Sequence, residues 1–166
     1  MLVQIGTLTF KTIDLSKTSE LCIRFREDSF MTSFGSTDRF HEEDNKGSIR
    51  YIEWLQKKIL DNPYSAVHIW ESEKIIGQIE LGSMKSEPDC GYVNLFYLIR
   101  EKRGKGLSKY LDLYTSQYFQ SLALKRMKLS VSPTNIQAVK FYEKSGWRYI
   151  GPRPGHPEVN FMEKSL

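Results

Sequence analysis

The sequence is short of most features that mark a membrane, secreted or metal-dependent protein. No apolar run approaches the ~18 residues a bilayer-crossing helix needs, and the opening stretch MLVQIGTLTFKTIDLSK reads as a strand, not as a secretory signal. No membrane association is therefore expected, and the expected location is the cytoplasm. Cysteine is scarce: Cys22 and Cys90 lie far apart with no CxxC spacing, which argues against a disulfide framework or a zinc site. His41, His68 and His156 are equally scattered, so no metal is expected. The chain also lacks internal repeats, low-complexity tracts and linkers. One domain over residues 1–166 is the expectation, since domains run to roughly 100–200 residues.

What is present is ordinary for a globular chain: 40% hydrophobic and 27% charged residues, with a formal net charge of +4. A domain of this size hides roughly two-thirds of its unfolded surface, enough for a sizeable core. The basic balance suits an anionic small molecule or a nucleic acid alike. The aromatic residues fall on predicted core faces instead of along a basic stripe, so no nucleic-acid partner is expected.

Hydrophobic periodicity lays out the elements. Residues 2–13 read as a strand and 15–34 as a helix carrying Leu21, Phe25 and Phe30. Residues 35–47 are polar and breaker-rich, hence a loop. Ser48 then reads as the N-cap of a helix bearing Ile52, Leu55 and Ile59. Three strands are predicted at 66–71, 75–81 and 92–99, and Leu107, Leu111, Tyr114, Tyr118 and Leu122 space out a long helix from 106 to 124. A strand at 127–131, a short helix at 135–145 capped by Gly146, and two closing strands around a turn at 151–157 complete the chain. The order predicts a mixed α/β fold, a mostly antiparallel central sheet with helices on both faces. The last turn and strand are placed to exchange or pair with a second copy of the chain, as a homodimer.

The chemically informative segment is Arg103-Gly104-Lys105-Gly106-Leu107-Ser108, between a hydrophobic strand and the long helix. Glycines leave the backbone open to close approach. The first N–H groups of a helix lack internal partners and carry the positive end of its dipole, a combination that binds phosphate. Arg103, Lys105 and Lys109 add charge at the same mouth. The glycines would equally suit a plain strand–helix turn. The segment is neither a GxxxxGK[ST] loop nor a GxGxxG fingerprint, which would need glycine where Lys109 stands.

Downstream lies Asn135-Ile-Gln-Ala138-Val-Lys-Phe141-Tyr142-Glu-Lys-Ser-Gly146-Trp147. Together the two segments resemble the GNAT acetyltransferase superfamily, which carries [RQ]xxGx[GA] at the start of its long helix and Asn-xx-Ala-xx-Phe-Tyr-xxx-Gly-[Phe/Trp] about thirty residues later. Arg103, Gly106 and Ser108 take the loop positions, Ser108 departing from the usual Gly or Ala; the second segment matches throughout. The resemblance covers residues 75–147 well and the first 60 residues only in element order.

The resemblance implies a GNAT-like fold with a splayed strand pair, and acetyl-CoA as acyl donor to an amine acceptor. Backbone groups at Phe96 and Leu98, with Tyr97 between them, would hold the pantetheine arm, the Phe96 N–H facing the thioester carbonyl. Amides from Gly104 through Lys105, Gly106, Leu107 and Ser108 to Lys109 would hold the pyrophosphate. Asn135 would bond the pantetheine or the loop, or simply cap its helix. Tyr142 is the implied general acid to the departing thiolate, since a hydroxyl of pKa near 10 is protonated at neutral pH; otherwise it packs like Phe141.

The family's strand glutamate corresponds to Tyr92, which is no carboxylate base. Strand parity puts Tyr92, Asn94 and Phe96 on one face, and Gln78 with Glu80 on one face of the preceding strand. Glu80 acting through a water held by Asn94 or Tyr92 is the candidate base; the alternative for Glu80 is a solvent-facing strand charge. Phe25, Asp28 and Phe30, with the acidic run Glu42-Glu43-Asp44, are the candidate acceptor-binding residues, suiting a cationic amine. The leading expectation is a small-molecule amine acetyltransferase. Peptide or protein amines are the nearest variant, and a non-catalytic coenzyme A sensor is the alternative from another class.

Overall fold

Gly6 and Thr7 turn the chain back after four residues, so the first predicted strand is in fact a hairpin. Strand β1 (Leu2–Ile5) pairs antiparallel with β2 (Leu8–Thr12), Ile5 standing opposite Leu8. A glycine with φ +61 at the first turn position is what a two-residue hairpin loop selects. The computed structural model describes residues 2–166, and its strand order is β1-β2-β3-β4-β5-β6-β8-β7, an open eight-stranded sheet. Two strands, β4 (Lys74–Met84) and β5 (Glu87–Leu98), contribute residues to both of the compact units into which the chain divides.

The first unit runs up to Ile79 and includes Tyr97–Ile99. Strand β3 (Ala66–Glu71) pairs antiparallel with β2. Helix α1 (Leu15–Phe34) starts where the Asp14 carboxylate accepts the Ser16 N–H at 3.1 Å, and stops at Gly35, whose N–H donates to the Met31 carbonyl. Thr18 is non-helical, its hydroxyl donating to the Asp14 carbonyl at 2.7 Å; a threonine side chain that bonds local backbone competes with the helix ladder. The predicted loop contains one further helical turn, α2 (Asp38–His41). Helix α3 (Gly47–Asp61) begins one residue before the predicted Ser48 cap and carries no side-chain cap.

Tyr51 and Leu55, one helical turn apart, are buried with Ile13, Cys22, Phe40 and Ala66. A buried polar chain crosses this unit: the Gln78 amide donates to the Tyr51 hydroxyl at 2.9 Å and its oxygen accepts from His68 Nε2 at 2.9 Å. Gln78, His68 and Cys22, whose sulfur lies 3.6 Å from His68 Nε2, are all buried, and pairing is what makes their burial tolerable.

The second unit contains Glu80–Phe96 and everything from Arg100 onward. Strand β6 (Arg126–Val131) runs parallel to β5 and antiparallel to β8 (His156–Ser165), which in turn pairs with β7 (Arg148–Arg153). Helices α4 (Ser108–Ser121) and α5 (Ile136–Lys144) belong here. Phe119, Met127, Leu129 and Met162 form the heart of its core. Gly91 lies against the Phe119 ring, where a Cβ would come within 2.5 Å of a ring carbon.

Candidate functional site

Strand β5 alternates as its sequence predicts: Val93, Leu95 and Tyr97 are buried while Tyr92, Asn94 and Phe96 are half-buried. The parallel ladder to β6 runs from Cys90↔Arg126 to Val93↔Leu129. Among the described residues it goes no further, although β5 continues to Leu98 and β6 to Val131. Asn94, Leu95 and Phe96 therefore have no partner in β6, the separated strand pair that the GNAT resemblance implies. The last paired stretch is pinned by the Tyr92 hydroxyl, 2.6 Å from Ser130 Oγ. Immediately beyond it, Asn94 Oδ1 is buried without a hydrogen-bond partner. A buried acceptor left unmade costs about 1–3 kcal/mol, so this position favours a ligand N–H or a water.

The chain next forms the turn that leads into α4. Gly104 and Gly106 both adopt left-handed backbone, φ +70 and +77, a region that other residues enter at a cost of ~1–2 kcal/mol. A Cβ on Gly106 would meet nothing within 4 Å, whereas one on Gly104 would lie 3.1 Å from Gln137 Nε2 on α5. Helix α4 starts at Ser108, two residues later than its apolar rhythm suggests, and Leu107 stands at the N-cap with no side-chain bond to the first turn. Its leading N–H groups thus receive no side-chain cap, behind a turn whose side chains leave room. Lys105 and Lys109 are exposed beside it and Arg103 is half-buried. Anionic oxygen is the ligand chemistry this arrangement accepts.

Helix α5 supplies the remaining polar groups. Asn135 caps it, its Oδ1 accepting the Ala138 N–H at 3.3 Å; the amide NH2 of the same side chain is a donor still available for other work. Tyr142 stacks with Phe96 of β5, ring centroids 6.3 Å apart and planes at 29°, and meets Trp147 edge-on at 5.8 Å. Burial, and secondarily the Asp112 carboxylate, push the Tyr142 hydroxyl well above the ordinary tyrosine range. It is protonated at neutral pH. The Phe96 backbone and the Tyr142 hydroxyl, predicted to flank a thioester, are thus on ring-stacked residues of one unit. Sequence reasoning missed Asp112, which accepts the Trp147 indole N–H at 2.8 Å and the Lys164 ammonium at 2.6 Å. Its signal was a carboxylate beside Leu111 on the buried stripe of a helix.

The predicted acceptor residues all lie in the first unit. Phe25 is buried against the Tyr97 ring at 4.5 Å and the His68 ring at 6.1 Å. Asp28 accepts a 2.6 Å hydrogen bond from the Tyr97 hydroxyl. Phe30 packs on the core cluster and on Phe34 and Phe40. Tyr97 and Leu98 are themselves buried. Two members of the acidic run are engaged internally: Arg50 donates to Glu42 at 2.7 Å and to both oxygens of Asp44 at 2.6 and 2.8 Å. Glu80 is fully buried, which excludes the solvent-facing alternative. Among the described residues no group of three or more His, Cys, Asp or Glu could hold a metal ion, and no helix is long and apolar enough to cross a membrane.

Comparison with known proteins completes the picture. The acetyltransferase (GNAT) family model matches residues 26–147, a span that includes residues of both units. No curated protein matches by sequence. Among solved structures, the PaiA N-acetyltransferase of Thermoplasma acidophilum, crystallised with coenzyme A, is 17% identical with a TM-score of 0.75, covering 97% of this chain and 100% of its own. The spermidine N-acetyltransferase of Vibrio cholerae, crystallised with coenzyme A and spermine, is 19% identical with a TM-score of 0.72, over 96% and 95% of the two chains. AAC(6')-Ib with ribostamycin and coenzyme A is 14% identical with a TM-score of 0.71, over 96% and 94%. The fold is common to all of them, and the family match spans most of the length. The chain belongs to the GNAT acetyltransferase family and is an acyltransferase.

Proposed function

We propose that this enzyme transfers the acetyl group of acetyl-CoA to a primary amine of a small molecule, by direct attack within a ternary complex, and that residues 1–166 act as one catalytic unit. One observation carries the reading. The α4 N-terminus, without a side-chain cap, follows two left-handed glycines in the same unit as the Phe96–Tyr142 stack. Phosphate-binding geometry and a proton donor thus accompany the strand whose backbone is left unpaired by β6.

Acetyl-CoA supplies the activated acyl carbon as a thioester. The amides of Gly104–Lys109 hold its diphosphate, with Arg103, Lys105 and Lys109 adding charge. Phe96, Tyr97 and Leu98 and the Asn135 amide position the pantetheine, and the Phe96 N–H donates to the carbonyl oxygen, where negative charge grows during attack. The amine nitrogen bonds to the carbonyl carbon as the C–S bond breaks; the sulfur takes a proton from the Tyr142 hydroxyl, and the second proton shed by the acylated nitrogen restores that hydroxyl. A cationic amine of pKa ~10.4 must first lose its proton; Glu80, through a water at Asn94, takes it.

A small cationic acceptor is supported by neighbours that hold spermine and ribostamycin. Asp28, hydrogen-bonded to Tyr97, is the carboxylate assigned to that cation, with Phe25 and Phe30 shaping its surroundings. The experiment is a thiol-release assay with acetyl-CoA and a panel of polyamines, aminoglycosides and peptide amines. Amine-dependent release of coenzyme A, greatest with a small polyamine or aminoglycoside, is the expected result. Preference for peptides would move the acceptor class, and coenzyme binding without release above background would make the protein a sensor.

A further inference from the structure

We propose that Asp112 and Trp147 are positioning residues for the Tyr142 hydroxyl, with Lys164 as the counter-ion that fixes the Asp112 carboxylate. The inference rests on the reading of Tyr142 as proton donor and adds how that donor is aimed. Trp147 is 3% exposed and Asp112 7% exposed. A buried indole N–H needs an acceptor, and a buried carboxylate needs partners for its charge. Both needs are met by one arrangement, in which Asp112 Oδ1 accepts from Trp147 Nε1 at 2.8 Å and Oδ2 from Lys164 Nζ at 2.6 Å. Helix α4, the residue before β7 and strand β8 each supply one member, so the carboxylate is tied from two directions.

Trp147 passes that constraint to Tyr142 in two ways. Its backbone N–H donates to the Tyr142 carbonyl at 2.9 Å, and its ring meets the tyrosine ring edge-on at 5.8 Å and 61°. The Phe96 ring, stacked on Tyr142, ties it also to β5. If the indole loses its anchor, the tyrosine ring loses one of its walls and the hydroxyl wanders from the sulfur. Displacements of about 1 Å at a reacting group can cost on the order of 100-fold in rate.

Asp112 also acts by charge. Asp112, on α4, is the carboxylate whose charge reaches the Tyr142 hydroxyl, and Lys164 on β8 is its partner; the rings of Phe96, Phe141 and Trp147 lie against the tyrosine ring. The negative charge of the carboxylate opposes tyrosinate formation, so the Asp112→Asn change lets Tyr142 ionise at lower pH.

The test compares Tyr142→Phe, Trp147→Phe and Asp112→Asn by kcat, by calorimetric Kd for coenzyme A, and by ultraviolet titration of tyrosinate, Tyr142 being assigned by difference from Tyr142→Phe. Loss of a general acid lowers kcat by roughly 100-fold or more in Tyr142→Phe. Trp147→Phe is expected to lose about tenfold in kcat with its coenzyme Kd within twofold of wild type (about 0.4 kcal/mol), and Asp112→Asn to shift the assigned tyrosinate signal to lower pH. A merely structural role would instead lower melting temperature and weaken coenzyme binding while leaving the ionisation in place. Wild-type kcat in Trp147→Phe together with an unshifted tyrosinate in Asp112→Asn overturns the proposal while the donor reading stands. Wild-type kcat in Tyr142→Phe overturns both. Should Asp112→Asn not fold, Lys164→Met replaces it: with Asp112 no longer fixed, kcat should fall about tenfold with the coenzyme Kd within twofold of wild type, and wild-type kcat overturns the proposal.

Discussion

Replacing Gly106 by alanine separates the backbone cost of the turn from its role in holding a ligand. Gly106 has φ +77, and Gly35, at the C-terminus of α1, has φ +71; neither would bring an added Cβ within 4 Å of another atom. The two sites are thus matched in strain and in space, but only Gly106 borders the α4 N-terminus. Left-handed backbone costs alanine ~1–2 kcal/mol, offset by ~0.4–1 kcal/mol from the stiffer unfolded chain. Each variant should therefore lose up to about 1.6 kcal/mol, which for a chain of this length lowers Tm by up to roughly 6 °C. On the proposed reading of this turn, a methyl at Gly106 would enter the space of the diphosphate, and one bond-length of displacement there would cost at least one charge-assisted hydrogen bond, ~1.5–3 kcal/mol. Coenzyme A affinity, measured by titration calorimetry at fixed salt, should fall on the order of 10- to 100-fold in Gly106→Ala and stay unchanged in Gly35→Ala. Equal affinities in the two variants would refute the reasoning, because strain is common to both and only the contact differs.

Four further outcomes follow from the geometry. Gly91→Ala forces a Cβ to within 2.5–2.6 Å of three carbons of the buried Phe119 ring, so it should destabilise by ~1–3 kcal/mol; a denaturant melt indistinguishable from wild type would contradict the packing. Glu80→Gln should lower kcat/KM and change its pH profile, and if both stay as in wild type Glu80 is not the base. Asp28→Asn should raise KM for polyamine or aminoglycoside acceptors with little effect on coenzyme affinity, and an unaltered KM removes Asp28 from the acceptor site. Arg50 hydrogen-bonds Asp44 and holds its carboxyl at about 2, below the usual 3.8. A depressed folded pKa stabilises above 3.8 and is lost as pH falls toward 2; melting temperatures of Arg50→Met should therefore decline less steeply than wild type over that range, and parallel curves would deny the pair any role.

Elements written in local periodicity were legible in the chain. The alternation from Tyr92 to Tyr97 survives because each residue's face follows from its own spacing; in α4, Leu111 and Tyr114 keep the buried face, but Phe119 takes the place expected of Tyr118, and Leu122 lies exposed beyond the helix end at Ser121. The turn at Gly6-Thr7 was hidden because apolar and β-branched residues continue on both sides of it, and one glycine inside a strand pattern signals a bulge as readily as a hairpin. α2 is a single turn, too short for any periodicity. Ser48 looked like a cap by type, but the helix starts at Gly47. The acidic run looked like a cation attractor because its partner, Arg50, lies several residues on and is chosen by tertiary geometry.

The site divides along the same line. Gly104 and Gly106 stand out in the chain as glycines leading into a helix, and Asn135 and Tyr142 were marked by the resemblance of their segment to the GNAT pattern. Asp112 had no such mark: its meaning depends on Trp147 and Lys164, 35 and 52 residues away. The parting of β5 from β6 after Val93 is likewise a property of pairing and not of either strand alone.

The central claim is that the backbone at residues 104–109 grips a diphosphate. Titration calorimetry of the wild-type protein with coenzyme A, and separately with pantetheine, which lacks the diphosphate, tests it most directly. Saturable uptake of coenzyme A is expected, with pantetheine bound more weakly by at least about 100-fold, or ~2.7 kcal/mol. Equal binding of the two, or no uptake of coenzyme A by folded protein, would contradict the claim.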